Sequence, residues 1–360
     1  MVRTSLREML GRTGPFASVY FDSSHNAGDA ARRLESQYLA IRGKLTEAGA
    51  SEQVIGAVGI AVAAGPPAPG RSGRALIADA GTVLMNEPLT APPEREIVRV
   101  SPLPFLLPLL EEREPHVPHV LVVADELSAR LSAVNCYGDR IARTVDVLTD
   151  PVHRVRRGPK GHRPPRECAR IALRRSIIGV SDAICTLADR VGASMILLAG
   201  DAAARAALRA ILEDRYTTAA RRCRTVDIDG HRDEVDAQVR AIIAEAADNR
   251  RKAVLERYHA ECARPGGTAT SGLAATTTAL RATTVAHLLV DSATLDDREV
   301  YTGDTHTEIA TAAAELTGPA RVHRADEAIP AAALAGGSDI VPVTGRITLP
   351  DGVGALLRLR

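Results

Sequence analysis

Short, continuous apolar runs alternate along this chain with longer stretches whose apolar residues recur at every third or fourth position. The first pattern predicts strands and the second amphipathic helices. Ala17-Ser-Val-Tyr-Phe21 reads as a strand, and Asp29–Ala48 and Ser51–Ala64 as helices, the second stopped by Gly65-Pro-Pro-Ala-Pro-Gly70. Arg74–Asp79 and Thr82–Asn86, turning at Ala80-Gly81, read as a hairpin, and the proline-rich tract Pro102–Pro118 as a connector.

A second block opens with the apolar run His119–Asp125, the pattern of a central strand. Alternating strands are predicted at Ser128–Cys136 and Asp139–Leu148, turning at Tyr137-Gly138. A helix follows from Arg166 onward, with apolar residues at Ile171, Leu173, Ile177 and Ile178. Ser194–Gly200 reads as another buried strand, Asp201 is placed to cap a helix running to Leu212, and Arg224–Ile228 is a final strand. The helical stretch Glu234–Cys262 leads out and is broken by Arg264-Pro-Gly-Gly267. Beyond it, helices are expected at Ser271–Ala282, Thr305–Leu316 and Asp326–Ala335. The strands expected there are Val285–Asp291, Glu299–Tyr301, Ile340–Val343 and Val353–Leu359. The class is α/β, more fully an α+β multidomain chain. The predicted parts are an α+β domain over 1–113, a mixed-sheet domain over 114–232, a connecting helix over 233–265 and an α-β-α sandwich over 266–360.

Charge changes this picture at one place. The chain is nearly neutral, with 45 Lys+Arg against 44 Asp+Glu. Yet His153 to Arg175 carries Arg154, Arg156, Arg157, Lys160, Arg163, Arg166, Arg170, Arg174 and Arg175 against the single acid Glu167. Its front half is a glycine- and proline-punctuated loop and its back half a helix. A cationic loop on a basic helix suits a polyphosphate, because each neutralised phosphate releases condensed counterions. The competing reading is a solvated helix face. Lys160, Arg163, Arg166 and Arg170 are the candidate RNA contacts, with Arg154, Arg156 and Arg157 supporting them. Aromatic residues make up 2% of the chain and Trp is absent, so base-stacking platforms are not expected and phosphate and shape must carry any affinity.

The remaining chemistry is sparse. Cys136, Cys168, Cys185, Cys223 and Cys262 are widely spaced, and no Cys-x-x-Cys pair signals zinc or a dithiol. Gly200-Asp201 follows a strand, but neither a Gly-x-Gly-x-x-Gly pattern nor a P-loop lysine accompanies it. His116 and His119 have loop spacing, not helical ligand spacing. Asp125-Glu126 and Asp296-Asp297 read as turn acids, and Asp146 and Asp201 are loose partners for a Mg²⁺ site at the end of the first central strand. No Gly-x-Ser-x-Gly elbow occurs. Neither cofactor nor metal is called for, and nothing demands an enzyme. With no leader-like or membrane-length apolar run, the expectation is a cytoplasmic protein without a membrane partner.

Three sets of residues carry a family resemblance. They are Gly14-Pro-Phe-Ala-Ser-Val-Tyr-Phe-Asp22 with Gly73-Arg-Ala-Leu-Ile-Ala78, His323-Arg-Ala-Asp-Glu-Ala-Ile-Pro330 with Ala331–Gly337, and Leu349-Pro-Asp-Gly-Val-Gly-Ala-Leu-Leu-Arg358. In register across nearly the whole length, the chain resembles a bacterial family of archaeal/eukaryotic-release-factor-like proteins. The wider relatives of that family are class-one release factors, Pelota-type rescue proteins and Balon-type hibernation factors. The resemblance implies three domains, the central one ribonuclease-H-like and the C-terminal one similar to kink-turn-binding ribosomal proteins. It also implies a ribosome partner, met in the A site through rRNA contacts for rescue or hibernation, and a translational GTPase such as elongation factor Tu as a further partner. The loop equivalent to the release-factor Gly-Gly-Gln is Gly158-Pro159-Lys160-Gly161-His162. No Gly-Gly-Gln occurs anywhere, since Gly266-Gly267 and Gly336-Gly337 are followed by Thr and Ser. The resemblance therefore implies a factor that binds without hydrolysing. The alternatives are a peptidyl-tRNA hydrolase with a variant loop, His162 moving the proton, and a stress-linked interaction protein that leaves ribosomes alone.

Overall fold

The structure is a computed structural model. It describes residues 6–24, 30–64, 71–89, 91–112, 117–125, 128–135, 140–146, 165–215, 224–230 and 232–358. The chain packs as two compact units: 1–113 together with 252–360, and 114–251.

The first segment builds an antiparallel sheet ordered β3-β2-β1-β4 from β1 (Phe16–Asp22), β2 (Gly73–Asp79), β3 (Thr82–Leu89) and β4 (Ile97–Ser101). Helices α1 (Ala30–Glu47) and α2 (Glu52–Ala63) lie between β1 and β2 in the chain. Strand alternation divides β1 between two cores. Ala17, Val19 and Phe21 pack with Ile41, Leu45, Val58 and Val62 of the helices. Phe16 and Tyr20 face Phe105, Leu106 and Leu109 instead. Ser51 caps α2 by accepting from Val54 N at 3.3 Å, and buried Arg74 of β2 closes its other end. The Arg74 guanidinium donates to the carbonyls of Ala61 (2.6 Å) and Val62 (3.2 Å), supplying the cation that a helix C-terminus favours.

Pro102–Pro118, expected as a connector, differs. Leu103, Phe105, Leu106, Leu107 and Leu109 are buried, and Leu107–Glu112 forms a short helix. Pro108 sits in its first turn, where the missing N–H has no intrahelical partner to lose. Tyr20 Oη donates to the Phe105 carbonyl at 2.5 Å and Ser18 Oγ accepts from Phe105 N at 3.0 Å, fixing this stretch on the sheet.

The second unit is one five-stranded sheet. Its strands are β5 (His119–Ala124), β6 (Ser128–Val134), β7 (Arg140–Asp146), β8 (Met195–Gly200) and β9 (Arg224–Ile228), in the order β7-β6-β5-β8-β9. The first three form an antiparallel meander, and β8 and β9 run parallel to β5. That order and polarity define a ribonuclease-H-like sheet, as the resemblance implied. Helix α3 (Pro165–Val191) covers one face through Val180, Ala183, Ile184, Leu187 and Val191, which meet Val120, Val122, Leu131 and Ile196. Helix α4 (Ala202–Arg215) adds Leu208 and Leu212 to the same core. Helix α5 (Arg232–Ala263) covers the β8–β9 half of the other face through Val235 and Val239 against Leu197 and Ile228.

From Lys252, α5 belongs to the first unit, where Val254 and Tyr258 pack on Leu289 and Leu356. The elements that follow are β10 (Ala269–Ser271), α6 (Leu273–Arg281), β11 (Val285–Val290), β12 (Glu299–Thr302), β13 (Ile309–Ala310), β14 (Arg321–Arg324), α7 (Ala325–Ala335), β15 (Asp339–Pro342) and β16 (Val353–Leu357). A four-stranded sheet, β10-β16-β11-β15, lies between the end of α5 on one face and α6 with α7 on the other, an α-β-α arrangement. A small sheet, β13-β12-β14, stands beside it. Gly352 has φ +76°, and a Cβ there would lie 2.4 Å from Leu295 N, so only glycine fits the turn into β16.

The helix expected over Thr305–Leu316 is corrected. That stretch holds the two-residue strand β13 and a 3₁₀ turn at Ala313–Glu315. Side chains there compete for the backbone. The Glu308 carboxylate accepts from Asp304 N (2.8 Å) and Thr305 N (3.3 Å), and the Glu315 carboxylate from Thr311 Oγ1 (3.0 Å) and Ala312 N (3.2 Å).

The two stretches of the first unit share one core, in which Met9, Phe16, Tyr20 and Leu109 cluster with Leu288, Ile329, Ala332 and Val353. Charge reinforces it. Arg99 of β4 donates to Asp326 Oδ2 at 2.9 Å, approaches Glu327 Oε1 at 3.5 Å, and lies 3.7 Å over the Phe105 ring. Arg324 holds Asp326 from the other side at 2.9 and 3.1 Å. Burial pushes the Glu327 carboxyl above the usual carboxylate range, against the opposing pull of Ser101, Arg99 and Arg324. Removing one partner of a buried network strands the other charges. Arg99→Ala should therefore lower the unfolding free energy by about 3–5 kcal/mol in urea denaturation, and Glu327→Gln in that background should restore part of the loss. A loss below about 1 kcal/mol would show that the network is incidental.

Candidate nucleic-acid interface

The charged segment lies between β7 and α3. Arg154, Arg156, Arg157, Gly158, Pro159, Lys160, Gly161, His162 and Arg163 lie outside the described residues. Arg166 and Arg170 fall in the first turns of α3, but their side chains also lie outside the described set. The second half of α3 packs on the sheet through the apolar stripe Val180, Ile184, Leu187 and Val191, and Ser181 Oγ donates to the Ile177 carbonyl at 2.9 Å.

At the end of the sheet where β7 gives way to the segment, pairing brings three features together. Ala124 pairs with both Ala129 and Gly200, and Ser128 with Asp146. Gly200 has φ +100°, and a Cβ there would meet the Ala124 carbonyl oxygen at 2.0 Å, so the two backbones meet only through glycine. Asp125 and Asp201, the candidate metal ligands, are engaged locally. Asp125 accepts from Ser128 N (2.6 Å) and Ser128 Oγ (3.0 Å), closing the β5–β6 hairpin. Asp201 accepts from the backbone N–H groups of Ala203 and Ala204 at 2.9 Å each, capping α4. The Asp146 side chain lies outside the described set. Among the described residues no group of three or more His, Cys, Asp and Glu is placed to hold a metal ion.

The other candidates resolve into structural roles. Asp296 presents its carbonyl to Arg324 at 3.1 Å. Gly266-Gly267 ends α5 and Gly336-Gly337 ends α7, where Gly336 N donates to the Ala332 carbonyl at 2.9 Å. His116 lies outside the described residues, while His119 is buried with Nδ1 2.7 Å from the Val117 carbonyl. No helix among the described residues is long and apolar enough to cross a membrane.

Some arginines of this unit are paired with acids and others are not. On the helical side, Arg205 pairs with Asp229, Arg209 with Asp227 at 2.8 Å, and Arg251 with Asp248 at 3.9 Å. On the meander, Arg130 and Arg140 are exposed and have no carboxylate partner among the described residues. Sequence reading missed these two because strand alternation scatters them among apolar neighbours, while the segment after β7 concentrates its charge.

His119 supplies a pH handle. Burial pushes its pKa below the usual histidine value, the Val117 hydrogen bond opposes this, and the Arg140 charge adds to it. The unfolded chain then binds the proton more readily than the folded one. His119 thus contributes full stability above about pH 6.5, and that contribution is lost progressively as the pH falls through the folded-state value. The unfolding midpoint of the wild type should drop on acidification, and His119→Gln should flatten the dependence in melts from pH 7.5 to 5. An unchanged slope would remove His119 as its source.

Residues 118–264 match the family model described as bacterial archaeo-eukaryotic release factor family 2. An uncharacterized protein of Mycobacterium tuberculosis strain H37Rv is 34% identical over 364 residues, covering 98% of this chain and 96% of its own. A protein of strain CDC 1551 / Oshkosh matches to the same extent. Solved structures with a detectable likeness include Dom34 of S. cerevisiae (10% identity, TM-score 0.38, covering 79% of this chain and 78% of that one). A model of ribosome-bound archaeal Pelota and ABCE1 gives 14% identity and TM-score 0.41, covering 100% and 96%. The archaeal termination factor aRF1 gives 12% identity and TM-score 0.24, covering 97% and 93%.

Proposed function

The chain belongs to the bacterial archaeo-eukaryotic release factor family, and from that premise we propose that it is a ribosome-binding translation factor. In this reading it occupies the A site during rescue or hibernation and catalyses no hydrolysis. The observation that carries the reading is where the family match falls: residues 118–264 enclose the ribonuclease-H-like sheet and the cationic segment His153–Arg175. Lys160, Arg163, Arg166 and Arg170 contact rRNA phosphates, and Arg154, Arg156 and Arg157 add to the field. Guanidinium groups suit this task because they stay charged and present several donors in a plane. The absence of Gly-Gly-Gln from the sequence supports binding over peptide release. Delivery by a translational GTPase such as elongation factor Tu, and residence in the cytoplasm, follow from the same reading.

Co-sedimentation with 70S ribosomes tests the proposal. The wild type should pellet with ribosomes at low salt. Combined substitution of Lys160, Arg163, Arg166 and Arg170 to Ala should release it and reduce the salt slope of log K by roughly 0.7–0.9 for each phosphate no longer neutralised. No binding at low salt, or binding unchanged by the four substitutions, overturns the reading. Ribosomes loaded with labelled peptidyl-tRNA should retain their peptide in its presence. Release that disappears in His162→Ala would assign a hydrolase instead.

A further inference from the structure

A cavity of about 510 Å³ opens on the meander half of the central sheet, beside the first turn of α5. Two cross-strand rows form its floor: Leu121–Ser132–Ala142 and Val123–Arg130–Thr144. The hollow has a simple origin. Ser132 and Ala142 are small, Gly200 and Gly230 add no side chain at the rim, and the first turns of α5 close one side through Val235 and Asp236. Its size falls within the range of small-ligand sites, roughly 300–1,000 Å³.

We infer that this cavity binds a nucleoside 5′-phosphate unit, either free or as one nucleotide of an RNA strand. Each part of such a unit meets a complement. Leu121 and Val123 offer an apolar floor for the base. Arg130, exposed and without a carboxylate partner among the described residues, offers a planar set of donors for the phosphate. Thr144 stands beside it in the same row as a further donor. Asp236, across the cavity on α5, can only accept hydrogen bonds when ionised, and the ribose hydroxyls are the donors this ligand brings. The combination discriminates. A bare phosphate leaves the apolar floor and Asp236 unused, and an apolar ligand leaves Arg130 and Asp236 unpaired. None of the lining residues belongs to the cationic segment His153–Arg175, and the inference does not rest on the ribosome reading.

Calorimetric titration of the full chain tests the assignment, with AMP, 2′,3′-dideoxy-AMP, inorganic phosphate and a 5′-phosphorylated tetraribonucleotide as probes. AMP or the tetranucleotide should bind, with inorganic phosphate and the dideoxy analogue weaker by about tenfold or more. Arg130→Ala should weaken binding by about tenfold or more with the thermal midpoint unchanged, since the side chain is exposed. Asp236→Asn should erase the preference for the ribose hydroxyls, and Ala142→Phe should block the cavity. Tighter binding of the tetranucleotide than of AMP identifies a strand, and equal binding identifies the free nucleotide. Failure of both to bind up to about 1 mM, or affinity unchanged in Arg130→Ala, overturns the proposal while leaving the co-sedimentation result standing on its own.

Discussion

The two stretches of the first unit are joined in a fixed register by a guanidinium in the middle of the fourth strand, which meets two carboxylates more than two hundred positions away in the chain. Asp326 and Glu327 are both almost fully buried, and neither could remain there as a charge without a counterion. Arg99 supplies that counterion from the N-terminal stretch, and its position over Phe105 keeps it from turning to solvent. The apolar core around Phe16, Tyr20, Leu288 and Ile329 contributes most of the burial energy, but apolar contact alone is non-directional. The ion network makes the docking specific. The run His323 to Pro330 contributes to both, since Ala325 to Pro330 are buried and Arg324 holds Asp326 at 2.9 Å.

Much of the fold was legible because burial on two faces leaves continuous apolar runs and burial on one face leaves stripes. Strands β1, β5, β8 and β11 and helices α2, α5 and α7 followed from that periodicity within a few residues. Failures occurred where side chains override the period. Pro102, Pro104 and Pro108 disguised a buried stretch as a linker, although Leu103, Phe105, Leu106 and Leu107 alternate with them and fill the core. The helix expected over Thr305–Leu316 gave way to turns held by Glu308 and Glu315, whose reach to backbone N–H groups has no periodic signature. Pairings such as Arg99 with Asp326 were not legible, because nothing in a single sequence marks which distant charges meet.

The candidate interface was legible as composition only. Nine cations between His153 and Arg175 stand out in any neutral chain. The carboxylates that invite a metal reading proved to be part of the scaffold, Asp125 in a hairpin and Asp201 in a cap.

The order of segments has a consequence for biogenesis. The stretch 114–251 is contiguous, whereas its neighbour is interrupted by it and resumes only at Lys252. During synthesis the internal unit is complete as soon as its own residues have emerged, while Arg99 waits in water for partners not yet made. The shared core of Tyr20, Leu109 and Ile329 closes last, after the final strand has left the tunnel. Truncation near the C-terminus would thus leave a nascent chain whose middle is native and whose beginning exposes an apolar sheet face, the kind of surface on which chaperones act.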